Sequence, residues 1–214
     1  MTAEQYPVQF KGHALARWVL RQAGWTVRFE GLPQRQGLII GYPHTSNWDF
    51  MPVMLAKWAM GIEARFLAKR SLFRVPLFAH WLRWIGAEPV DRGSPSGVVA
   101  QLVARIKAHQ HNDGLFWLGI SPEGTRSLTP GWKSGFYRVA IETGVPVGLM
   151  HIDWGQRQIV LCDFIALTGD LSHDYALLAR AYHGVQGRRP ALASPIRPLS
   201  TQTADLGQPS HHEP

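Results

Sequence analysis

Several sequence features that would identify a class of protein directly are rare or missing in this chain. One of its 214 residues is a cysteine, Cys162, so a disulfide framework and a multi-cysteine zinc site are both excluded. Long apolar runs are missing as well. Up to residue 190, the longest stretch without a charged side chain is 36–48, shorter than the roughly 18 apolar residues of a membrane span. The first residues do not resemble a secretory leader. We therefore expect a soluble or peripheral protein in a reducing compartment.

The charge is one-sided. Lysine and arginine total 22 against 15 acidic residues, a net charge of +7, and the excess lies mainly in residues 1–92. Such a field predicts an anionic partner, which could be nucleic acid, an anionic membrane or a phosphorylated substrate. Nine tryptophans and nine phenylalanines suit either a membrane interface or stacking on single-stranded nucleic acid. Composition leaves these alternatives open.

Hydrophobic periodicity predicts alternating strands and helices. Strands are expected at 25–30, 38–42, 64–68, 87–90, 115–120, 145–151 and 158–165, and helices at 10–23, 50–60, 71–85, 97–109, 133–143 and 171–183. This alternation is typical of an α/β fold, in which helices flank a mostly parallel central sheet.

The chain is expected to hold one domain, residues 1–187. Helix 10–23 is amphipathic and is either an ordinary surface helix or one that lies on a membrane. Residues 188–214 are rich in proline, serine and threonine and have no hydrophobic period. That composition predicts a disordered tail.

Two polar segments follow predicted strands, where α/β proteins bind ligands. The first, PHTSNWD, contains His44 and Asp49. A neutral imidazole can accept a proton from an alcohol, and a carboxylate on its other nitrogen fixes the tautomer. The alternative is a loop histidine with Asp49 as a helix N-cap.

The second segment, SPEGTR, contains Glu123, Gly124, Thr125 and Arg126. Glycine lets the backbone approach a ligand closely, and the planar guanidinium of Arg126 matches a phosphate. The alternative is a surface turn with an incidental salt bridge. If both strands are parallel members of one sheet, the two segments open onto the same edge of that sheet.

Together these segments resemble a known family. HTSNWD and SPEGTRS are similar to the first and third signature blocks of the glycerolipid acyltransferases, the 1-acylglycerol-3-phosphate acyltransferase family. LAKRSLFRVPLFAHWLRWIGAEPVDR resembles the second block and GVPV the fourth, in the family's order. The resemblance covers residues 25–165 and implies a glycerol-phosphate acyltransferase-like α/β fold.

The resemblance also implies roles for individual residues. His44 would be the general base, oriented by Asp49. Residues implied to bind the acyl acceptor, especially its phosphate, are Arg92, Glu123, Gly124, Thr125 and Arg126, with Lys69 and Lys133 adding to a basic cleft. Pro43 and Ser121 depart from the pattern of the family. Both departures concern the specificity for the acyl acceptor.

The implied reaction moves a fatty acyl group from acyl-CoA or acyl-carrier protein to a lysophospholipid, most directly 1-acylglycerol-3-phosphate, in phospholipid biosynthesis. No cofactor and no metal is implied. The expected partners are the lysolipid acceptor, the acyl donor and an anionic membrane surface, without nucleic acid. The expected location is cytoplasmic, on the inner face of the cell membrane. The alternatives are another acceptor, such as a lyso-ornithine lipid or lipid A precursor, and a non-catalytic module that binds anionic membranes or nucleic acid.

One aromatic cluster has two interpretations. Residues 72–84 combine leucine, phenylalanine and tryptophan with Arg74 and Arg83. Phenylalanine and tryptophan at helical spacing are usually core residues, but next to arginine they also suit a membrane surface.

Overall fold

The computed structural model describes residues 6–90 and 95–199, which form an α/β fold. The helices are Ala14–Gln22 (α1), Phe50–Met60 (α2), Pro76–Trp84 (α3), Pro95–His111 (α4), Gly135–Thr143 (α5) and Leu171–Ala181 (α6). The strands are Thr26–Phe29 (β1), Gln36–Tyr42 (β2), Arg65–Lys69 (β3), Ala87–Val90 (β4), Phe116–Ile120 (β5), Val147–Asp153 (β6) and Gln158–Ile165 (β7). Short 3₁₀ turns lie at Asn47–Asp49, Arg70–Arg74 and Pro190–Leu192.

The seven strands form one sheet in the order β1-β7-β6-β2-β5-β3-β4. Every neighbouring pair is parallel except β6 and β7, which are antiparallel and joined by a short turn. This topology confirms the predicted α/β class with a mostly parallel sheet. It also makes β2 a central strand, with β5 on one side and β6 on the other.

Strand β2 is buried along its whole length because helices cover both faces of the sheet, the usual arrangement for parallel strands. Its side chains alternate between two cores. Ile39 packs in the core that α1 and α2 cover, whereas Leu38 and Ile40 pack beneath α4, α5 and α6. A smaller core joins α3 to α2. The molecule therefore has three layers, with α1 to α3 on one face and α4 to α6 on the other.

The predicted helix over 71–85 is two elements. A 3₁₀ turn, Arg70–Arg74, precedes Val75, whose backbone is extended, and α3 starts at Pro76. Proline disfavours the helical conformation in the residue before it, yet suits the first position of a helix. Pro76 therefore marks the break.

The disordered tail predicted from residue 188 is wrong for residues 188–199. Ser194 is fully buried, and its carbonyl accepts a hydrogen bond of 3.0 Å from the Tyr42 hydroxyl. Arg197 and Leu199 exchange backbone hydrogen bonds with Trp132. Polar backbone contacts to distant elements hold this segment, so it needs no hydrophobic period of its own. Residues 200–214 lie outside the described part of the chain.

Candidate active site

Three loops meet at one edge of the sheet because they follow parallel neighbouring strands. The loop after β2 carries His44, and the loop after β5 carries Glu123. The turn after β6 carries Trp154. This edge is where open α/β sheets bind ligands.

The structure brings His44 and Asp49 together. The Nδ1 atom of His44 lies 3.0 Å from Oδ2 of Asp49, whose side chain is 1% exposed, while the histidine side chain is 22% exposed. Among the described residues, none makes a hydrogen bond with Nε2. The pair thus presents one ring nitrogen to solvent and the other to a buried carboxylate.

The Asp49 carboxylate is held at both oxygens. The Ser46 amide donates to Oδ2 at 2.9 Å, and the indole Nε1 of Trp154 donates to Oδ1 at 2.7 Å. Asp49 occupies the N-cap position of α2, but its side chain makes no cap hydrogen bond to that helix. The Asp49 side chain therefore does not cap α2, but its bond with the Ser46 amide closes a capping box at the 3₁₀ turn that leads into that helix. The same carboxylate contacts His44, so the capping role and the partnership with His44 hold together.

Glu123 ties the histidine loop to the C-terminal segment. Its side chain is buried, with Oε2 accepting the His44 amide at 2.7 Å and Oε1 accepting the Ser194 amide at 3.0 Å. Burial raises the pKa of this carboxyl, and the hydrogen bonds from Ser194 and His44 offset part of that rise. These contacts hold the loop that carries His44 against the C-terminal segment. A contact between Glu123 and an acceptor stays a prediction.

Gly124 and Lys133 are neighbours. Gly124 has a φ of +67°, and a Cβ at this position would lie 2.8 Å from Nζ of Lys133. Glycine therefore suits both the left-handed backbone and the lysine side chain that crosses it. Lys133 is exposed.

The remaining predicted binding residues lie around this edge. Arg126 is exposed and forms no ion pair with any residue in the described ranges. The Thr125 hydroxyl accepts a hydrogen bond of 3.3 Å from the Ser127 amide. Lys69 ends β3, which is separated from β2 by β5, and is exposed. Arg92 falls outside the described residues.

Two residues near the site give no local signal in the sequence. Trp154 lies in the turn between β6 and β7, and Arg188 lies in the segment predicted as tail. The guanidinium carbon of Arg188 is 4.6 Å from the ring centroid of Trp154 and 5.3 Å from that of Trp48. Only the fold shows that they adjoin the histidine loop.

This arrangement suits proton abstraction from a hydroxyl. A histidine whose Nδ1 faces a fixed carboxylate keeps its lone pair on Nε2, and that nitrogen faces outwards. The carboxylate also stabilises the imidazolium that forms. Arg126 and Lys133 are exposed positive charges on the loop after β5.

A family model described as Acyltransferase matches residues 25–150, more than half of the chain. The 1-acyl-sn-glycerol-3-phosphate acyltransferase of Streptococcus pneumoniae is 38% identical over 63 residues, which cover 29% of this chain and 23% of that protein. The protein 1-acyl-sn-glycerol-3-phosphate acyltransferase BAT2, chloroplastic, of Brassica napus is 30% identical over 93 residues, 42% of this chain and 26% of that protein. The chain thus spans about a quarter of the length of these curated relatives.

One similar solved structure is that of the 1-acyl-sn-glycerophosphate (LPA) acyltransferase PlsC from Thermotoga maritima. It superposes with a TM-score of 0.51 at 18% identity, covering 78% of this chain and 74% of that one. A likeness at this identity concerns the fold alone.

Proposed function

The chain belongs to the acyltransferase family, and from that premise we propose that it transfers a fatty acyl group to the hydroxyl of 1-acylglycerol-3-phosphate. The observation that carries this proposal is the contact of 3.0 Å between His44 Nδ1 and the buried carboxylate of Asp49. A hydroxyl is a weak nucleophile until a base removes its proton. The names of the two curated relatives support the choice of acceptor.

In the proposed reaction, Nε2 of His44 takes the proton of the acceptor hydroxyl as its oxygen attacks the carbonyl carbon of an acyl thioester. The new C–O bond forms and the C–S bond breaks. The departing thiolate then receives the proton from the imidazolium. Asp49 accepts a hydrogen bond from Nδ1–H and stabilises the charged ring in between. The products are a diacyl lipid and a free thiol.

Cys162 is no candidate for a covalent acyl-enzyme in this scheme. Burial raises the pKa of its thiol to about 11, whereas cysteine nucleophiles work as thiolates with a lowered pKa. Direct transfer from the donor therefore fits the chain better. Acyl-CoA and acyl-carrier protein both present the required thioester, and both belong in the test.

Acceptor binding is assigned to the basic residues at the site edge. Arg126 and Lys133 are exposed on the same loop as Glu123, and a guanidinium fork suits a phosphate. We expect Arg126 to contact the acceptor phosphate and Lys133 to add to the field. Lys69 lies farther along the same edge.

The proposed function also includes docking on the surface of an anionic membrane at the cytoplasmic face. No helix in the described ranges has the length and apolarity to cross a bilayer. Helix α1 buries Ala16 and Leu20 but leaves Leu15 and Trp18 exposed. Exposed apolar residues also surround α3, namely Leu72, Val75, Leu77, Phe78, Trp81 and Trp84. Arginines beside such residues suit an anionic leaflet.

The α3 surface lies close to the catalytic pair. Trp81 packs at 6.4 Å between ring centroids against Phe50, the residue that follows Asp49. Leu77 is 87% exposed, which does not fit the interpretation of the cluster as core. A bilayer against α3 would therefore lie near the catalytic loop.

The test is acyl transfer by the purified chain with labelled oleoyl-CoA or oleoyl-carrier protein. The acceptors are 1-acylglycerol-3-phosphate, a lyso-ornithine lipid, a lipid A precursor and monoacylglycerol. We expect 1-acylglycerol-3-phosphate to be acylated fastest, because it offers a hydroxyl and a phosphate on one glycerol and is the acceptor in the names of both curated relatives. Transfer mainly to another acceptor would replace the proposed substrate, and no transfer to any of them would contradict the function.

A further inference from the structure

Arg188 places a cation next to the catalytic pair from the far end of the chain. Its guanidinium lies over the rings of Trp48 and Trp154. Trp154 donates to Asp49, and Trp48 lies in the loop that begins with His44. Arg188 is thus one aromatic ring away from the carboxylate that orients the base.

The backbone around Arg188 is fixed. The amide of Arg189 donates to the Thr45 hydroxyl at 3.1 Å, and the amide of Trp154 donates to the carbonyl of Gln186 at 2.8 Å. Gly187 approaches Thr45 so closely that a Cβ would lie 2.6 Å from its Oγ1. The backbone on both sides of Arg188 is therefore anchored to the loops that carry Thr45 and Trp154. This fixes the point from which the Arg188 side chain extends.

Within residues 6–90 and 95–199, no group accepts a hydrogen bond from the Arg188 guanidinium. A cation–π contact uses the charge of the guanidinium and does not consume its five N–H groups as hydrogen-bond donors. Arg188 is exposed, and no carboxylate of a described residue forms an ion pair with it. A guanidinium with N–H groups available beside the site can donate two parallel hydrogen bonds to a phosphate group.

We propose that Arg188 binds a phosphate group of a substrate as it enters beside His44, in addition to Arg126 on the loop after β5. This inference rests on the proposed acyl transfer. The phosphate could be that of the acyl acceptor or one carried by the acyl donor. Both offer the same chemistry to the guanidinium, and the experiments separate them.

The binding experiment uses two soluble probes, glycerol 3-phosphate for the acceptor head and coenzyme A for the donor. Isothermal titration calorimetry compares wild type with Arg188→Ala and Arg188→Lys. The matched control is Arg189→Ala, an exposed arginine on the same segment. We expect Arg188→Ala to weaken one probe by about tenfold or more, Arg188→Lys to be intermediate because it lacks the planar fork, and the control to bind like wild type.

The kinetic experiment distinguishes two roles of Arg188, which are binding a phosphate group and only holding Trp154 in place. If Arg188 binds a phosphate, Arg188→Ala raises KM for the acceptor or for the donor by about tenfold or more, with kcat within about threefold of wild type. A raised KM for the acceptor assigns the acceptor phosphate, and a raised KM for the donor assigns the donor. Unchanged KM values, or a loss confined to kcat, would overturn the proposal.

The two proposals fail in different ways. If wild type transfers acyl groups and Arg188→Ala keeps both KM values and both probe affinities, the Arg188 site is wrong and the function stands. If wild type transfers no acyl group, the function fails, and the probe titrations alone decide the Arg188 site. Absence of probe binding to wild type in that case overturns the site as well.

Discussion

At the scale of single residues, Asp49 stands within reach of three N–H groups, those of His44, Ser46 and Trp154. A carboxylate accepts all three, whereas an asparagine side chain has one oxygen and must turn its NH₂ towards a donor. The arrangement therefore suits the two oxygens of an aspartate side chain and not an amide. It also selects the histidine tautomer that leaves the lone pair on Nε2.

We expect Asp49→Asn to lower kcat by about 10²- to 10⁴-fold, because the overall geometry survives while control of the tautomer is lost. Steady-state kinetics measures this, with circular dichroism as the check of folding. Asp170→Asn is the control, because Asp170 caps α6 through the His173 amide and adjoins no site residue. A folded Asp49→Asn variant with kcat like that of the control would contradict the assigned role.

Arg126 is the residue for which charge and shape can be separated. Arg126→Lys keeps the charge but loses the planar fork, so KM for 1-acylglycerol-3-phosphate should rise by about tenfold while kcat changes less. The control is Arg180→Lys, an exposed arginine on α6. An equal effect on monoacylglycerol, which lacks the phosphate, would show that Arg126 does not bind that group.

At the scale of secondary-structure elements, α3 has more exposed large apolar side chains than any other described helix. Trp84 is 70% exposed and Leu77 is 87% exposed, while Ala79 and Leu82 face the core. Arg83 lies over the Phe73 ring at 5.5 Å, which keeps a cation beside the aromatic surface. A bilayer surface would cover both kinds of group at once.

We expect the double substitution Arg74→Glu with Arg83→Glu to reduce binding to anionic vesicles, since each basic residue near the leaflet contributes about 1 kcal/mol. Vesicle sedimentation at increasing salt measures the loss. The control reverses the same number of charges on the opposite layer, Lys107→Glu with Arg180→Glu. If both double variants sediment like wild type, α3 is not the docking element, and α1 is the next to test.

The sequence predicted the elements and part of the site because both have local signals. Strand β2 is an apolar run. His44 and Asp49, which lie within six positions of each other, are residue types that indicate a base and its partner. Trp154 and Ser194 have no such signal, because they reach Asp49 and Glu123 across 105 and 71 positions of the chain. Contacts of that range follow from topology, which short patterns do not contain.

At the scale of the whole molecule, the C-terminal segment, residues 188–199, packs beside the site. It reaches Thr45 through Arg189, Glu123 through Ser194, and Trp132 through Arg197. Trp132 is fully buried in the core of the α4 to α6 layer. The segment thus links the catalytic edge of the sheet to one of its two main cores.

Truncation after residue 187 should therefore destabilise the protein, whereas a disordered tail would be dispensable. Each buried partner left without its hydrogen bond costs about 1–3 kcal/mol, and each kcal/mol lowers Tm by roughly 2–4 °C at this size. We expect a fall in Tm of about 5 °C or more by scanning calorimetry.

The comparison is truncation after Leu199, which keeps every contact of the segment named above. It should lower Tm by clearly less than truncation after residue 187. Equal Tm values for wild type and for the chain truncated after residue 187 would show that residues 188–199 do not stabilise the fold.

We propose that this molecule transfers an acyl group with His44 as its base. The most direct measurement is the rate of diacyl product formation from labelled oleoyl-CoA or oleoyl-carrier protein and 1-acylglycerol-3-phosphate, by wild type and by His44→Ala of equal Tm. We expect product with wild type and a loss of about 10²-fold or more with the variant, since positioned bases contribute about 10²- to 10⁴-fold. A folded His44→Ala variant that forms product at the wild-type rate would show that His44 is not the base.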